Sequence, residues 1–247
     1  MQRLLDRLLS HFSERIVAVS TSVATFTAKQ EGIPLSKFIV INNGIDIKAI
    51  QTALREHDPV ETRREVGFAP ADKIVINVSR IVPQKNHRLL FEGFALFARE
   101  HPGYLLLVVG GGSHLEEIEA YAKNLGISDK VKFLGYQKEI FHYLGIADFF
   151  ISTSLIEGFG ITHAEALAAG LPVLTTKTAG PDEMIQEGIN GFFIPAYTKE
   201  SVAEGLAKMA AQDLVPMCEA ARHSSEAYSI DHIVERYETL FQEVAES

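Results

Sequence analysis

Five short, nearly unbroken apolar runs follow Asp72: KIVINVS, YLLLVVG, VKFLG, DFFIST and LPVLTT. Each ends in a loop, and each loop leads into an amphipathic segment of about helical length. A strand that is apolar on both faces must be covered on both faces, and strands that alternate with helices pair in parallel through crossovers. The pattern therefore predicts an α/β domain built on a doubly wound, Rossmann-like parallel sheet. Such sheets bind ligands beyond the carboxyl ends of their strands, so the residues just after each run hold the functional information.

Ahead of this rhythm, RIVAVST reads as a strand, SVATFTAKQEG as a helix and KFIVINNGID as a strand closed by an Asn-Gly turn. Residues 47–71 read as a polar connection with some helix. The tail, KESVAEGLAKMAA and then SIDHIVERYETLFQEV, is helical. The opening MQRLLDRLLSHF places Leu4, Leu5, Leu8, Leu9 and Phe12 on one face and reads as a core-packing helix rather than a membrane-surface one.

Composition narrows the partners. The net charge of −9 and a pI near 5.5 argue against nucleic acid and against an anionic membrane as general partners. No apolar run approaches the ~20 residues that span a bilayer. The single cysteine, Cys218, rules out an internal disulfide, and a reducing cytoplasm is the natural compartment. No Cys/His group has structural-zinc spacing and no Asp-x-Asp pair is present, so no metal site is expected.

The strand ends supply a short set of candidates. Arg80 and Lys85 follow the first run; Gly110, Gly111 and Gly112, with Ser113 and His114, follow the second; Gly135 follows the third. Glu157, Gly158, Phe159 and Gly160 follow the fourth, and a loop TAGPDE, Ala179 to Glu183, follows the fifth. Each has an ordinary explanation: surface cations, Asn86 as a helix cap, a glycine turn, and Thr162 with Glu165 as a T-x-x-E capping box. Cations and glycine loops gathered at helix starts along one sheet edge are also what a diphosphate requires, namely amide donors, a favourable dipole and full charges.

VSRIVPQKN, GGGSHLEEIEAYAKNLGI, VKFLGY, EGFGITHAEALAAGLPVL and NGFFI, in this order, resemble the nucleotide-binding half of the retaining glycosyltransferases of the GT-B fold, family 4. VINNGID resembles that family's crossing between domains. The resemblance implies residues 1–46 as a remnant of the N-terminal, acceptor-binding domain, 47–71 as a linker, 72–229 as the nucleotide-sugar-binding domain and 230–247 as a C-terminal crossing helix. It implies transfer of a hexose from a nucleoside diphosphate sugar, uridine or guanosine, to an acceptor hydroxyl with retention and without metal or other cofactor.

Within the resembled E-x7-E motif, Glu157 would face the donor sugar and Glu165 would hold ribose hydroxyls. Arg80 and Lys85 would neutralise the diphosphate, aided by amides near Ile161 and Thr162. The backbone of Leu134, Gly135 and Tyr136 would receive the base, with Gly110 to Gly112, Gly158, Phe159 and Gly160 lining the donor site. Two departures stand out: Ala179 replaces a common glycine, and most of a first domain is absent from the matching pattern. His163 does not match the family's catalytic histidine and reads as a packing or donor-site residue. A non-catalytic nucleotide-sugar module that needs a partner chain or a homodimer is the alternative. A nucleotide-sugar epimerase of similar fold fits the E-G-F-G turn less well.

Overall fold

The computed structural model describes residues 7–246. Its main sheet has six parallel strands in the order β5-β4-β3-β6-β7-β8. These are β3 (Lys73–Val78), β4 (Tyr104–Val109), β5 (Val131–Gly135), β6 (Phe149–Ser152), β7 (Val173–Thr176) and β8 (Gly191–Ile194). The five predicted runs are five of these strands. The sixth, β8, comes from NGFFI, too short a run to stand out as a strand.

Alternate residues of each strand enter different cores. Val75, Leu106, Val108, Phe149, Ile151 and Leu174 join the cluster under helices His87–Glu100 and Lys199–Ala210. Ile74, Ile76, Leu107, Val109, Phe150 and Val173 join the cluster under helices Ile47–Glu56 and Ile161–Ala169. Phe91, Phe94, Phe149 and Phe150 are wholly buried, each worth about 2–3 kcal/mol of transfer free energy. Two faces, both apolar and both covered, account for the absence of polar alternation in the runs.

Residues 47–71 hold two helices, Ile47–Glu56 and Pro59–Val66, capped by the carboxylates of Asp46 and Asp58. Ile50 is fully buried, facing the sheet's second core. The TAGPDE stretch departs from its expected loop: Ala179–Met184 is a short helix. Pro181 lies in its first turn, where a missing N–H costs nothing, so the Gly-Pro signal does not break it.

The amino end forms a separate, small parallel pair, β1 (Ile16–Ala18) with β2 (Phe38–Val40). Helix Thr21–Glu31 joins them, with the Ser20 hydroxyl accepting from Val23 N–H and Gly32 closing the helix in the left-handed region. The C-terminal helix Ile230–Ala245 returns to this pair, seating Ile233 and Leu240 against Ile41. Arg236 donates to the Val40 carbonyl at 2.6 Å. The predicted opening helix falls partly on residues 1–6, outside the described residues. Its described apolar residues are not core: Leu8, Leu9 and Phe12 are all exposed, because no described element packs over them.

Candidate functional site

The chain leaves β3 to build β4 on one side and later returns to place β6 on the other. The loops after β3 and β6 therefore diverge at a topological switch point, where open parallel sheets hold their ligands. Here the two loops are laced together. Leu155 N–H donates to the Gln84 carbonyl and Gln84 Nε2 donates to the Ile156 carbonyl, each at 2.9 Å. The Thr153 hydroxyl donates to the Asn86 carbonyl at 3.1 Å.

That lacing brings together two candidates 72 residues apart. Lys85 Nζ forms an ion pair with Glu157 Oε1, and both side chains are largely shielded, at 14% and 12% exposure. The Ser154 hydroxyl donates to the same Oε1 at 2.9 Å. Gln84, Thr153 and Ser154 escaped the sequence reading. Their available signal was the three hydroxyl residues, Ser152, Thr153 and Ser154, all buried at the end of an otherwise apolar strand.

Gly160, at φ 88°, is the N-cap of helix Ile161–Ala169 and makes no side-chain cap bond. The capping box suggested by Thr162 and Glu165 does not form, because the left-handed glycine starts the helix ahead of Thr162 and leaves that residue inside the first turn. The first backbone donors of the helix are His163 and Ala164, both to the Gly160 carbonyl. Among the described residues the amides of Gly158 and Phe159, in the turn, and of Ile161 and Thr162, at the helix start, have no acceptor. Asn86 likewise caps helix His87–Glu100 by backbone position alone, at φ 54°, without a side-chain bond.

Glu165 makes no hydrogen bond among the described residues, and burial pushes its carboxyl up to about 7. His163 is wholly buried and edge-on to Phe150. Its Nε2 lies 3.0 Å from the Thr175 hydroxyl, while Nδ1 is buried without a partner. Burial holds its pKa down at about 4, against a smaller upward pull from Glu157. It is an uncharged packing residue beneath the turn. A Cβ on Gly180 would stand 1.9 Å from the Phe159 carbonyl oxygen, so helix Ala179–Met184 rests directly on the E-G-F-G backbone.

The glycine loop after β4 is held the same way. Cβ atoms on Gly110 and Gly112 would stand 1.9 and 2.2 Å from the carbonyl oxygens of Ser79 and Ile81. The loop thus lies against the backbone that carries Arg80. Gly110 N–H donates to the Gly135 carbonyl at 2.8 Å, joining the loops after β4 and β5. Tyr136 is 79% exposed beside Gly111. The Leu134 carbonyl is already taken by Gln137 Nε2 at 2.8 Å. Arg80 is exposed and has no side-chain partner among the described residues. The candidates read from the strand ends thus lie along the carboxyl edge of the main sheet, where Lys85 and Glu157 are joined by an ion pair and Gly110 and Gly135 by a backbone hydrogen bond. Among the described residues no group of three or more His, Cys, Asp or Glu could hold a metal ion, and no helix is long and apolar enough to cross a membrane.

The fold is that of a doubly wound parallel-sheet domain whose topological switch point lies between β3 and β6. The family model "Glycosyl transferases group 1" matches residues 60–227, and the chain belongs to that family. It is 31% identical over 192 residues to the N-acetyl-alpha-D-glucosaminyl L-malate synthase of Bacillus anthracis, covering 76% of this chain and 50% of that protein. It is 32% identical over 203 residues to the D-inositol 3-phosphate glycosyltransferase of Nocardia farcinica, covering 78% and 44%. The chain thus spans about half the length of these relatives. Among solved structures, Anabaena HepE in complex with UDP-glucose superposes with a TM-score of 0.84 at 24% identity, over 98% of this chain and 68% of that one. A glycosyltransferase from Rickettsia africae gives 0.85 at 23% identity, over 94% and 64%. The doubly wound parallel fold expected from the sequence is the fold observed, and it is that of GT-B glycosyltransferases.

Proposed function

We propose that this chain is the donor-binding half of a retaining, family 4 type glycosyltransferase that moves a hexose from a nucleoside diphosphate sugar to an acceptor hydroxyl. One observation carries the reading: Lys85 and Glu157 meet at the switch point beside a helix start whose amides are unused. A lysine, an arginine and free amides suit a diphosphate, whose charge grows as the glycosidic bond breaks. Fixed positive groups aimed there lower the barrier without a metal. Glu157 orients the sugar, Glu165 receives ribose hydroxyls, and the backbone of Leu134 to Tyr136 borders the base. The reaction belongs in the cytoplasm, where nucleotide sugars and a reduced Cys218 are compatible.

The test is calorimetry with UDP, GDP and their sugars in excess chelator. Binding of at least one nucleoside diphosphate supports the reading. Loss of all binding that magnesium restores overturns metal independence, and no binding in either condition overturns the donor site itself.

A second reading, a module that turns over only with a complementary domain or chain, is favoured by the amino end. Phe12, Phe26 and Leu35 are 89%, 65% and 53% exposed there. An acceptor has to be positioned and water excluded, which a single lobe does poorly. Turnover by a monomer near the enzyme median of about 10 per second, with donor and mixed acceptors, refutes this dependence.

A further inference from the structure

Two donors converge on one oxygen of Glu157, and they differ in kind. Lys85 sits at the end of a flexible stem and carries the charge that a diphosphate attracts. Ser154 is 1% exposed and fixed from several sides. Its carbonyl accepts from the Thr176 hydroxyl at 2.6 Å, from the neighbouring strand β7. Its own hydroxyl lies 3.1 Å from that of Ser152, which is therefore the donor of that pair, since Ser154 donates to Glu157. Residues on both sides of it are bound to the loop after β3, through Thr153 to the Asn86 carbonyl and through Leu155 to the Gln84 carbonyl. Glu157 Oε2, by contrast, has no hydrogen bond among the described residues and is not enclosed.

We propose that Ser154 is the positioning residue for Glu157, holding Oε1 so that Oε2 keeps facing the sugar once a diphosphate has drawn Lys85 away. The argument is one of exchange. In this structure Lys85 and Ser154 share one oxygen of the carboxylate. When phosphate arrives, the cation has a second and more highly charged partner, and the anchor that remains is the buried hydroxyl. Ser154 thus contributes little to nucleoside diphosphate binding, where Glu157 makes no contact. It matters when a sugar is attached. No bond is made or broken by Ser154, and it touches no substrate.

This inference rests on the proposed function, and the experiment separates the two. Affinities for UDP and GDP are measured by calorimetry alongside UDP-glucose, UDP-N-acetylglucosamine and GDP-mannose, and the sugar contributed by the best donor is read as the ratio of sugar-bearing to sugar-free affinity. The chain is compared with Ser154→Ala, Glu157→Gln and the double variant. Ser154→Ala is expected to leave the nucleoside diphosphate affinity within twofold, which also shows that it folds. It is expected to cut the sugar ratio by roughly tenfold, the scale of one hydrogen bond to a charged group. In the Glu157→Gln background it should add nothing, because it acts through that carboxylate. An unchanged ratio in Ser154→Ala, equal losses for both ligand types, or independent losses in the double variant would each overturn the role of Ser154. A wild-type chain that binds no nucleotide, or gains nothing from any sugar, overturns the underlying reading instead.

Discussion

The main sheet and the amino-terminal pair are both parallel β structure crossed by a helix, yet they satisfy their apolar residues differently. Every residue of β6 and β7 is buried, whereas β2 has none that is fully so and β1 only Ala18. In the main sheet the pattern is answered within the chain, by helices on both faces. At the amino end it is answered only in part, by helices Thr21–Glu31 and Ile230–Ala245, while Phe12, Phe26 and Leu35 remain open. The lesson is that the same periodicity in a sequence describes two situations, and what covers the strand tells them apart.

The largest test of this contrast sets one phenylalanine against another. Phe91→Ala, in the filled core, is expected to cost about 3–5 kcal/mol of unfolding free energy by denaturant titration. Phe26→Ala, 65% exposed, is expected to stay within about 0.5 kcal/mol. A loss of several kcal/mol at Phe26 would mean that this face is covered in solution, and sedimentation would then show whether a second copy covers it.

A smaller difference is expected between two glycines. Gly180→Ala drives a methyl into the Phe159 carbonyl, so the E-G-F-G turn must move, at about 3 kcal/mol. Nucleotide affinity should fall with it. Gly32→Ala, at φ 68° with only the Arg7 guanidinium near, meets backbone strain alone, about 1 kcal/mol. Equal costs would erase the distinction between close approach and conformational freedom.

The smallest effect is a pH dependence confined to the crevice. The Glu165 carboxyl is raised by burial from its ordinary 4.5 to about 7. Its contribution to stability is therefore fully present below pH 4.5 and is lost as the pH rises through 7. Glu165→Gln should accordingly gain in melting temperature over the parent at pH 8 relative to pH 5. A pH-independent gap would show that the carboxyl is not held in the protonated form. With a nucleotide bound, ribose hydroxyls that donate to the carboxylate should favour ionisation and release protons near neutral pH, measurable by calorimetry in buffers of different ionisation enthalpy.

Strand existence and class were legible because buried strands write themselves as apolar runs, and the glycines at 110, 112 and 160 because their backbones demand no side chain. What escaped was decided by tertiary contact. TAGPDE carries every local sign of a turn, yet its Gly180 is pressed on the Phe159 carbonyl and the segment coils. T-x-x-E at 162 to 165 carries the sign of a capping box, yet Gly160 starts the helix earlier and leaves both side chains unused by it. Lys85 and Glu157 were each identifiable, but their contact follows from strand order, which local sequence does not encode. Ser154 reads as a strand-end serine until the fold places a carboxylate three residues on above it.

The amino-terminal pair is not an idle neighbour of the crevice. Val19 and Val23 each lie 3.7 Å from where a Gly158 side chain would begin, and the Ser22 amide donates to Glu183 at 3.2 Å. Segments more than a hundred residues apart in the chain thereby touch at the turn that carries Glu157. One helix, Thr21–Glu31, therefore carries both the exposed Phe26 and the Val23 that borders Gly158, so the open amino-terminal surface and the turn carrying Glu157 share a single rigid element.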